Sequence, residues 1–179
     1  MNLIKKDPIA RITFSAICLA LYVILTLISI ETPIFKITLD GLPVIFAAIV
    51  LGPVEGFSVG LLGSFIGEFF SPYGLTITTP LWILPAAIRG LIIGLIFYKK
   101  SPENRKILWI FAVILSGLLV TAINTFVIFI DAKIFEYPHE ITWITTGFRI
   151  LANIITSIIY IFIVPLLYHA LKKAGVIKE

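Results

Sequence analysis

The chain has 179 residues, of which 59% are hydrophobic and 13% are charged, with a formal net charge of +4 and a mean hydropathy of +1.09. Soluble domains contain about 45–50% apolar and about 25% charged residues, so too few polar side chains are present here to cover a soluble surface. The net charge is no signal of nucleic-acid binding, because the basic residues fall at the ends of apolar segments, and we expect no nucleic-acid partner. We therefore expect an all-α integral membrane protein that forms one domain in the lipid bilayer.

Six apolar segments follow one another along the chain. A helix needs about 17–25 apolar residues to cross the core of a bilayer. The predicted helices are 11–30, 41–51, 54–70, 81–98, 107–130 and 142–171. The second is short enough to be a partial or tilted helix. Prolines lie near most of the boundaries, whereas Pro85 and Pro165 lie inside helices and should kink them.

Lysines and arginines are concentrated in the N-terminal tail, in the connection 99–106 and in the C-terminal tail. With six spans these three stretches lie on one side of the membrane, and the positive-inside rule makes that side cytoplasmic. We therefore expect both termini in the cytoplasm and three longer loops on the outer side. The expected location of the protein is a prokaryotic plasma membrane.

Small residues recur at a spacing of four in several predicted helices. The GxxxG pairs are Gly56 and Gly60, Gly63 and Gly67, and Gly90 and Gly94. Such residues let helix backbones approach closely, which predicts tight packing within the chain, with a dimer contact as the alternative. Ala16 and Ala20 share one face of the first helix, which serves either for internal packing or for docking another membrane protein.

Three ionisable residues lie inside apolar segments, where a charge costs about 2.5–3.5 kcal/mol on insertion scales. They are Glu68, Arg89 and Arg149, on three different helices and at a similar predicted depth in the outer half. One carboxylate and two guanidiniums leave one positive charge, and a substrate carboxylate is its natural partner. The alternatives are an ion pair with Glu68, hydrogen bonds to backbone carbonyls, or snorkelling of Arg149 towards the outer surface.

Polar and aromatic side chains near these charges extend the candidate substrate site. Asn153 lies one turn after Arg149, and Asn124 lies among apolar residues of the fifth helix. Trp82 lies two turns before Arg89 on the same helix face, nearer the outside. We therefore include Asn153, Asn124 and Trp82 among the predicted substrate-binding residues.

Three residues at the outer side complete the candidate site. Tyr73 and Trp143 lie at outer helix ends, where an aromatic ring either anchors in the membrane interface or stacks on a planar ligand. Lys36, in the first outer loop, would add a positive charge for a ligand with two carboxylates.

Patterns typical of catalysis are missing from the sequence. The only histidines, His139 and His169, fall on opposite sides of the membrane, and neither a nucleotide-binding motif nor a GxSxG sequence occurs. We therefore expect no enzyme activity, no metal site and no cofactor. A stand-alone secondary carrier is the alternative class, although only Glu68 is available as an intramembrane acid for a coupling ion.

The order of these features resembles the S component of energy-coupling factor (ECF) vitamin transporters over nearly the whole chain. The resemblance rests on "SAICLALYV" in the first helix and "GLPVIFAAIVLGPVEGFSVGLLGSFIGEFF" in the second and third. It continues with "LPAAIRGLIIGLIFY" in the fourth helix, which a basic inner loop follows.

This resemblance implies a subunit that binds one vitamin with high affinity from outside, while a membrane coupling protein and two cytoplasmic ATPases drive transport. It also implies that Ala16 and Ala20 dock the coupling protein. Folate-type members look closest, and two arginines suit the two carboxylates of folate. The stretch "SPYGLTITTPLWILP" departs from the Pro-Gly-Phe-Thr-like run of those members. Pantothenate, or another vitamin with a carboxylate, is the alternative substrate.

Overall fold

Helices make up almost all of the secondary structure. The computed structural model describes residues 7–31, 36–72, 74–98, 100–136 and 138–175, without the side chains of 30–31, 36 and 139–141. Within these ranges the elements are α1 (Pro8–Leu27), β1 (Ile30–Glu31), β2 (Lys36–Ile37), α2 (Gly41–Val50), α3 (Pro53–Glu68), α4 (Thr79–Trp82), α5 (Leu84–Phe97), α6 (Lys106–Ile134) and α7 (His139–Lys173). Strands β1 and β2 pair antiparallel, with Ile30 opposite Ile37.

The predicted all-α membrane class is confirmed. In the described ranges four stretches are long and apolar enough to cross a membrane: Pro8–Leu27, Thr79–Phe97, Lys106–Ile134 and Thr142–Lys173. Helices α2 and α3 have 10 and 16 residues and do not belong to that set. A count of six spans and the cytoplasmic position of both termini therefore remain predictions.

The predicted helix 81–98 is divided into α4 and α5, with Ile83 between them. Pro85 lies in the first turn of α5 and has no amide proton to donate to the carbonyl four residues earlier. The hydrogen-bonded ladder cannot run unbroken through this point. Trp82, the last residue of α4, therefore lies on a separate short helix that precedes α5 in the chain.

Helix α2 lies in the interior of the bundle. All of its residues except Leu42 are buried, and it packs against α1, α3, α5 and α7. A helix that is apolar on every face is typical of such a position. Burial, rather than a tilt in contact with lipid, thus accounts for its short apolar sequence.

A solid core fills the half of the bundle around the connection between α5 and α6. The rings of Phe97 and Trp109 meet edge to face with centroids 5.3 Å apart, and both side chains are fully buried with Val164. The indole nitrogen of Trp109 donates a hydrogen bond of 3.2 Å to the carbonyl of Ile161. These side chains close the interior of that half of the bundle.

Glycines hold α3 against α5. A Cβ atom on Gly90 would overlap the backbone carbonyl of Gly56, and one on Gly60 would lie 2.5 Å from the carbonyl oxygen of Ala86. The two backbones touch at these points, so no larger side chain fits without moving a helix. The predicted packing of these GxxxG glycines within the chain is confirmed.

Candidate functional site

A cavity of ≈ 200 Å³ opens between α1, α3, α5, α6 and α7. It brings together most of the residues that the sequence singled out for substrate binding. Those that line it are Glu68, Trp82, Arg89, Asn124, Arg149 and Asn153. The predicted convergence of Glu68 and the two arginines at one place is thus present in the fold.

Arg89 and Tyr160 form one wall of this cavity. The guanidinium carbon of Arg89 lies 5.4 Å from the centre of the Tyr160 ring, which is within the range of a cation–π contact. Both side chains lie over the backbone of Gly41, because a Cβ atom there would overlap Nη1 of Arg89 and lie 2.7 Å from Oη of Tyr160. The first residue of α2 therefore fixes how deep the guanidinium can lie.

Arg149 and Trp82 form a second wall. The guanidinium carbon of Arg149 lies 4.8 Å from the centre of the Trp82 ring. The indole nitrogen of Trp82 donates a hydrogen bond of 2.8 Å to Oδ2 of Asp131 on α6. Each of the two intramembrane arginines is thus paired with an aromatic face that borders the cavity.

The formal charge of the cavity is balanced. Asp40 and Glu68 line it together with Arg89 and Arg149, so two carboxylates and two guanidiniums border the same cavity. The sequence argument counted only one carboxylate and therefore expected an excess positive charge. A ligand in this cavity meets both anionic and cationic groups, which suits a molecule with hydrogen-bond donors as well as acceptors.

Neutral polar groups supply further hydrogen-bonding positions. Tyr22 and Ser64 share a buried hydrogen bond of 2.8 Å between their hydroxyl oxygens. The Thr156 hydroxyl donates to the carbonyl of Ala152 at 3.0 Å. Oδ1 of Asn153 is buried and accepts no hydrogen bond from the part of the chain that the structure describes. This amide oxygen is consequently a candidate acceptor for a ligand donor.

Three of the predicted substrate-binding residues are not placed at the cavity. Trp143 is 65% exposed, and its ring meets that of Phe129 edge to face at 5.3 Å. It does not line the cavity, and its position suits an interfacial anchor. Tyr73 and the side chain of Lys36 lie outside the described residues.

Several residues that line the cavity were not predicted from the sequence, although the helical periodicity of α7 indicates some of them. On α7 the positions 149, 153, 156 and 160 follow the spacing of one helix face, so Arg149 points to Thr156 and Tyr160 as well as to Asn153. No comparable signal marks Asp40, which precedes α2 and reaches the cavity only through the packing of that helix.

The predicted docking face lies on the outside of the bundle. Ala16 and Ala20 are exposed, as are their neighbours Ile17 and Leu21. The opposite face of α1 is buried at Cys18 and Tyr22. Ala16 and Ala20 therefore do not pack inside the bundle. Their face is open to lipid or to another membrane protein.

The residues that the structure describes contain no group of three or more His, Cys, Asp or Glu side chains that could hold a metal ion.

Comparison with known proteins gives a consistent result. Residues 6–173 match the family model described as "ECF-type riboflavin transporter, S component". A UPF0397 protein of Lactobacillus gasseri is 29% identical over 193 residues, covering 100% of both chains. A UPF0397 protein of Streptococcus pneumoniae is 34% identical over 92 residues, about half of either chain, at 50% and 49%.

Two solved structures share the fold. The crystal structure of FolT bound with folic acid superposes with a TM-score of 0.67 at 21% identity, covering 88% of this chain and 92% of FolT. The structure of the S component of a bacterial ECF transporter gives a TM-score of 0.63 at 20% identity, with coverage of 93% and 98%. At these identities the similarity concerns the fold and does not extend to a ligand.

Proposed function

The chain belongs to the family of S components of ECF-type riboflavin transporters, and we propose that its own substrate is a vitamin that carries a carboxylate, with folate as the first candidate. Members of this family are substrate-binding subunits of membrane transporters and not enzymes. The protein is accordingly a membrane-embedded subunit for vitamin uptake.

The observation that carries this proposal is the pair of guanidiniums at one cavity. Arg89 and Arg149 reach it from α5 and α7. Both arginines belong to candidate membrane spans, where charged side chains are expensive and are retained at functional sites. A guanidinium recognises a carboxylate through two parallel hydrogen bonds, which gives both affinity and orientation.

Folate fits the chemistry of the two walls. It has two carboxylates for two guanidiniums, and its planar pterin ring suits the aromatic sides that Trp82 and Tyr160 provide. Asn124 and Asn153 offer the paired donors and acceptors that the polar edge of such a ring requires. The fold shared with FolT is compatible with this substrate but does not select it.

The volume of the cavity favours pantothenate as a second candidate. At ≈ 200 Å³ the space is below the roughly 300–1,000 Å³ of sites that enclose drug-sized ligands. Pantothenate is smaller than folate and has one carboxylate, two hydroxyls and an amide. Its donors would suit Asp40 and Glu68, while folate requires the cavity to widen or one end of the ligand to lie outside it.

The balanced charge favours riboflavin as a third compound to test. Two carboxylates beside two guanidiniums allow the cavity to hold an uncharged ligand without an unpaired charge. The description of the family model names a riboflavin transporter. Riboflavin carries no carboxylate. Binding of riboflavin alone would therefore show that neither arginine is needed to recognise a ligand carboxylate.

A binding panel decides among these substrates. The purified chain in lipid nanodiscs is titrated with folate, pantothenate, riboflavin and thiamine, and binding is followed by isothermal titration calorimetry. We expect tight binding of one carboxylate vitamin, and a change of tryptophan fluorescence that is lost in Trp82→Phe and kept in Trp143→Phe. Absence of binding by both folate and pantothenate would refute the carboxylate proposal.

The role as a subunit is tested by uptake into vesicles. We propose that the chain works with two cytoplasmic ATPases and a membrane coupling protein, and that the coupling protein docks on the exposed face around Ala16 and Ala20. Vesicles that contain the whole assembly should accumulate the vitamin when ATP is supplied. Accumulation against a gradient by the chain alone would instead establish a secondary carrier.

A further inference from the structure

The indole of Trp82 is held from two directions by residues of two other helices. Its nitrogen donates to Oδ2 of Asp131 on α6 at 2.8 Å. Its ring face lies under the guanidinium of Arg149 on α7, at 4.8 Å from the ring centre. Asp131 itself does not line the cavity, and its hydrogen bond to the indole links it to a residue that does.

The backbone around Trp82 gives the indole few other restraints. Helix α4 has four residues, and Ile83 separates it from α5. On its other side the segment is tied locally, because the amide of Thr76 donates to the hydroxyl of Thr79 at 2.9 Å. This bond fixes the segment before Trp82, and the orientation of the Trp82 side chain then depends on its partners on α6 and α7.

The charge of Asp131 strengthens the contact between Trp82 and Arg149. A carboxylate that accepts the indole N–H draws positive charge to the edge of the ring and leaves its face more negative. A more negative face attracts a guanidinium more strongly. The three side chains therefore form one cooperative unit, with the carboxylate at the edge and the cation on the face.

Stability alone gives no reason for a carboxylate at this place. Oδ1 of Asp131 is buried and receives no hydrogen bond from any residue that the structure describes. Leaving one oxygen of a buried carboxylate unsatisfied destabilises a fold. An acceptor that is kept here despite this cost points to a role in holding the indole.

We infer that Asp131 is a positioning residue of the substrate site: it fixes the Trp82 indole over Arg149 and thereby sets the position of both groups against the bound vitamin. The effect on substrate rests on the proposed function, whereas the effect on the indole does not. Without this acceptor α4 is no longer held to α6 by the indole, and Trp82 and Arg149 do not keep their positions at the cavity.

The experiment compares Asp131→Leu with Asp131→Asn. Leucine removes the acceptor at similar size, whereas asparagine keeps an acceptor oxygen and removes only the charge. Lys133→Leu and Glu136→Gln are the matched controls, since both side chains are exposed near the same end of α6. All proteins carry 5-fluorotryptophan, and the ¹⁹F resonance of Trp82 is assigned from its loss in Trp82→Phe.

Two readouts are taken for each variant. The first is the ¹⁹F spectrum without ligand, in which the Trp82 resonance should shift and broaden in Asp131→Leu and stay near the wild-type position in Asp131→Asn. The second is the Kd for the vitamin that binds the wild type. We expect it to rise about ten-fold or more in Asp131→Leu and by about three-fold or less in Asp131→Asn, as a charged hydrogen bond is lost or partly kept.

Each remaining outcome overturns the inference. An unchanged Trp82 resonance in Asp131→Leu shows that the carboxylate does not hold the indole. A moved resonance with unchanged Kd shows that Trp82 does not shape the substrate site. Equal losses in both Asp131 variants show that the acceptor oxygen alone does not hold the indole. A loss in Lys133→Leu indicates a general effect on this end of α6. Absence of any vitamin binding in the wild type would refute the proposed function and the substrate role, while the ligand-free spectra would still decide whether Asp131 holds Trp82.

Discussion

The guanidinium of Arg89 on α5 and the ring of Tyr160 on α7 meet at 5.4 Å above the backbone of Gly41. Three helices are thereby joined at a single point on the wall of the cavity. The absence of a side chain at position 41 is what allows the arginine and the phenol to lie against α2. The position of the Arg89 guanidinium is therefore set by Gly41, a residue without a side chain.

Gly41→Ala should weaken substrate binding about ten-fold, because the new methyl group displaces the ends of Arg89 and Tyr160. Gly147→Ala is the matched control, since a Cβ atom there would meet nothing within 4 Å. Calorimetric titration with the bound vitamin measures the difference. Equal affinity of the two variants would show that the position of Arg89 does not control binding.

Arg89→Ala should reduce binding by more than the roughly 1.5–3 kcal/mol of a charged hydrogen bond, if a buried ligand carboxylate loses its partner. Arg89→Lys keeps the charge but loses the bidentate geometry, so its loss should be smaller. Arg105→Ala, at an exposed position before α6, serves as the control. Unchanged affinity in a folded Arg89→Ala protein would assign Arg89 to structure.

Gly90→Val should destabilise the fold, because its side chain would enter the backbone of Gly56 where α3 and α5 touch. Overpacking of this kind costs about 1–3 kcal/mol and occasionally more. A lowered midpoint of thermal unfolding in detergent would report it. Gly147→Val provides the comparison for a helical glycine with open space. If Gly90→Val unfolds like the wild type, the contact between the helices is looser than the geometry indicates.

Ala16→Trp should leave vitamin binding unchanged and abolish uptake by the complete transporter. Ala16 is exposed on α1 and takes no part in the cavity, so a large side chain interferes only with a partner that docks there. Leu118→Trp, an exposed position on α6, controls for a bulky residue that faces lipid. Normal uptake by Ala16→Trp would place the coupling protein elsewhere, and a loss of binding would reveal an internal role for this face.

The sequence was sufficient for the class of the protein and for much of the candidate site. Apolar runs of membrane length, prolines near their boundaries and GxxxG spacing are local features, and each constrains one helix without reference to its neighbours. The same holds for Glu68, Arg89 and Arg149, whose charges are conspicuous because their surroundings are apolar. Periodicity along a helix also related Asn153 to Arg149, whereas the break at Ile83 separates Trp82 from the helix of Arg89.

The tertiary structure decided what those residues meet. Periodicity gives the face on which a side chain lies but not the helix that packs against it, so the sequence could not pair Arg149 with Trp82 or Trp82 with Asp131. It also could not place Asp40 in the cavity, and hence could not give the balance of charge there. Helix identity is a local property of the chain, whereas the partners of a buried charge depend on contacts between segments distant in sequence.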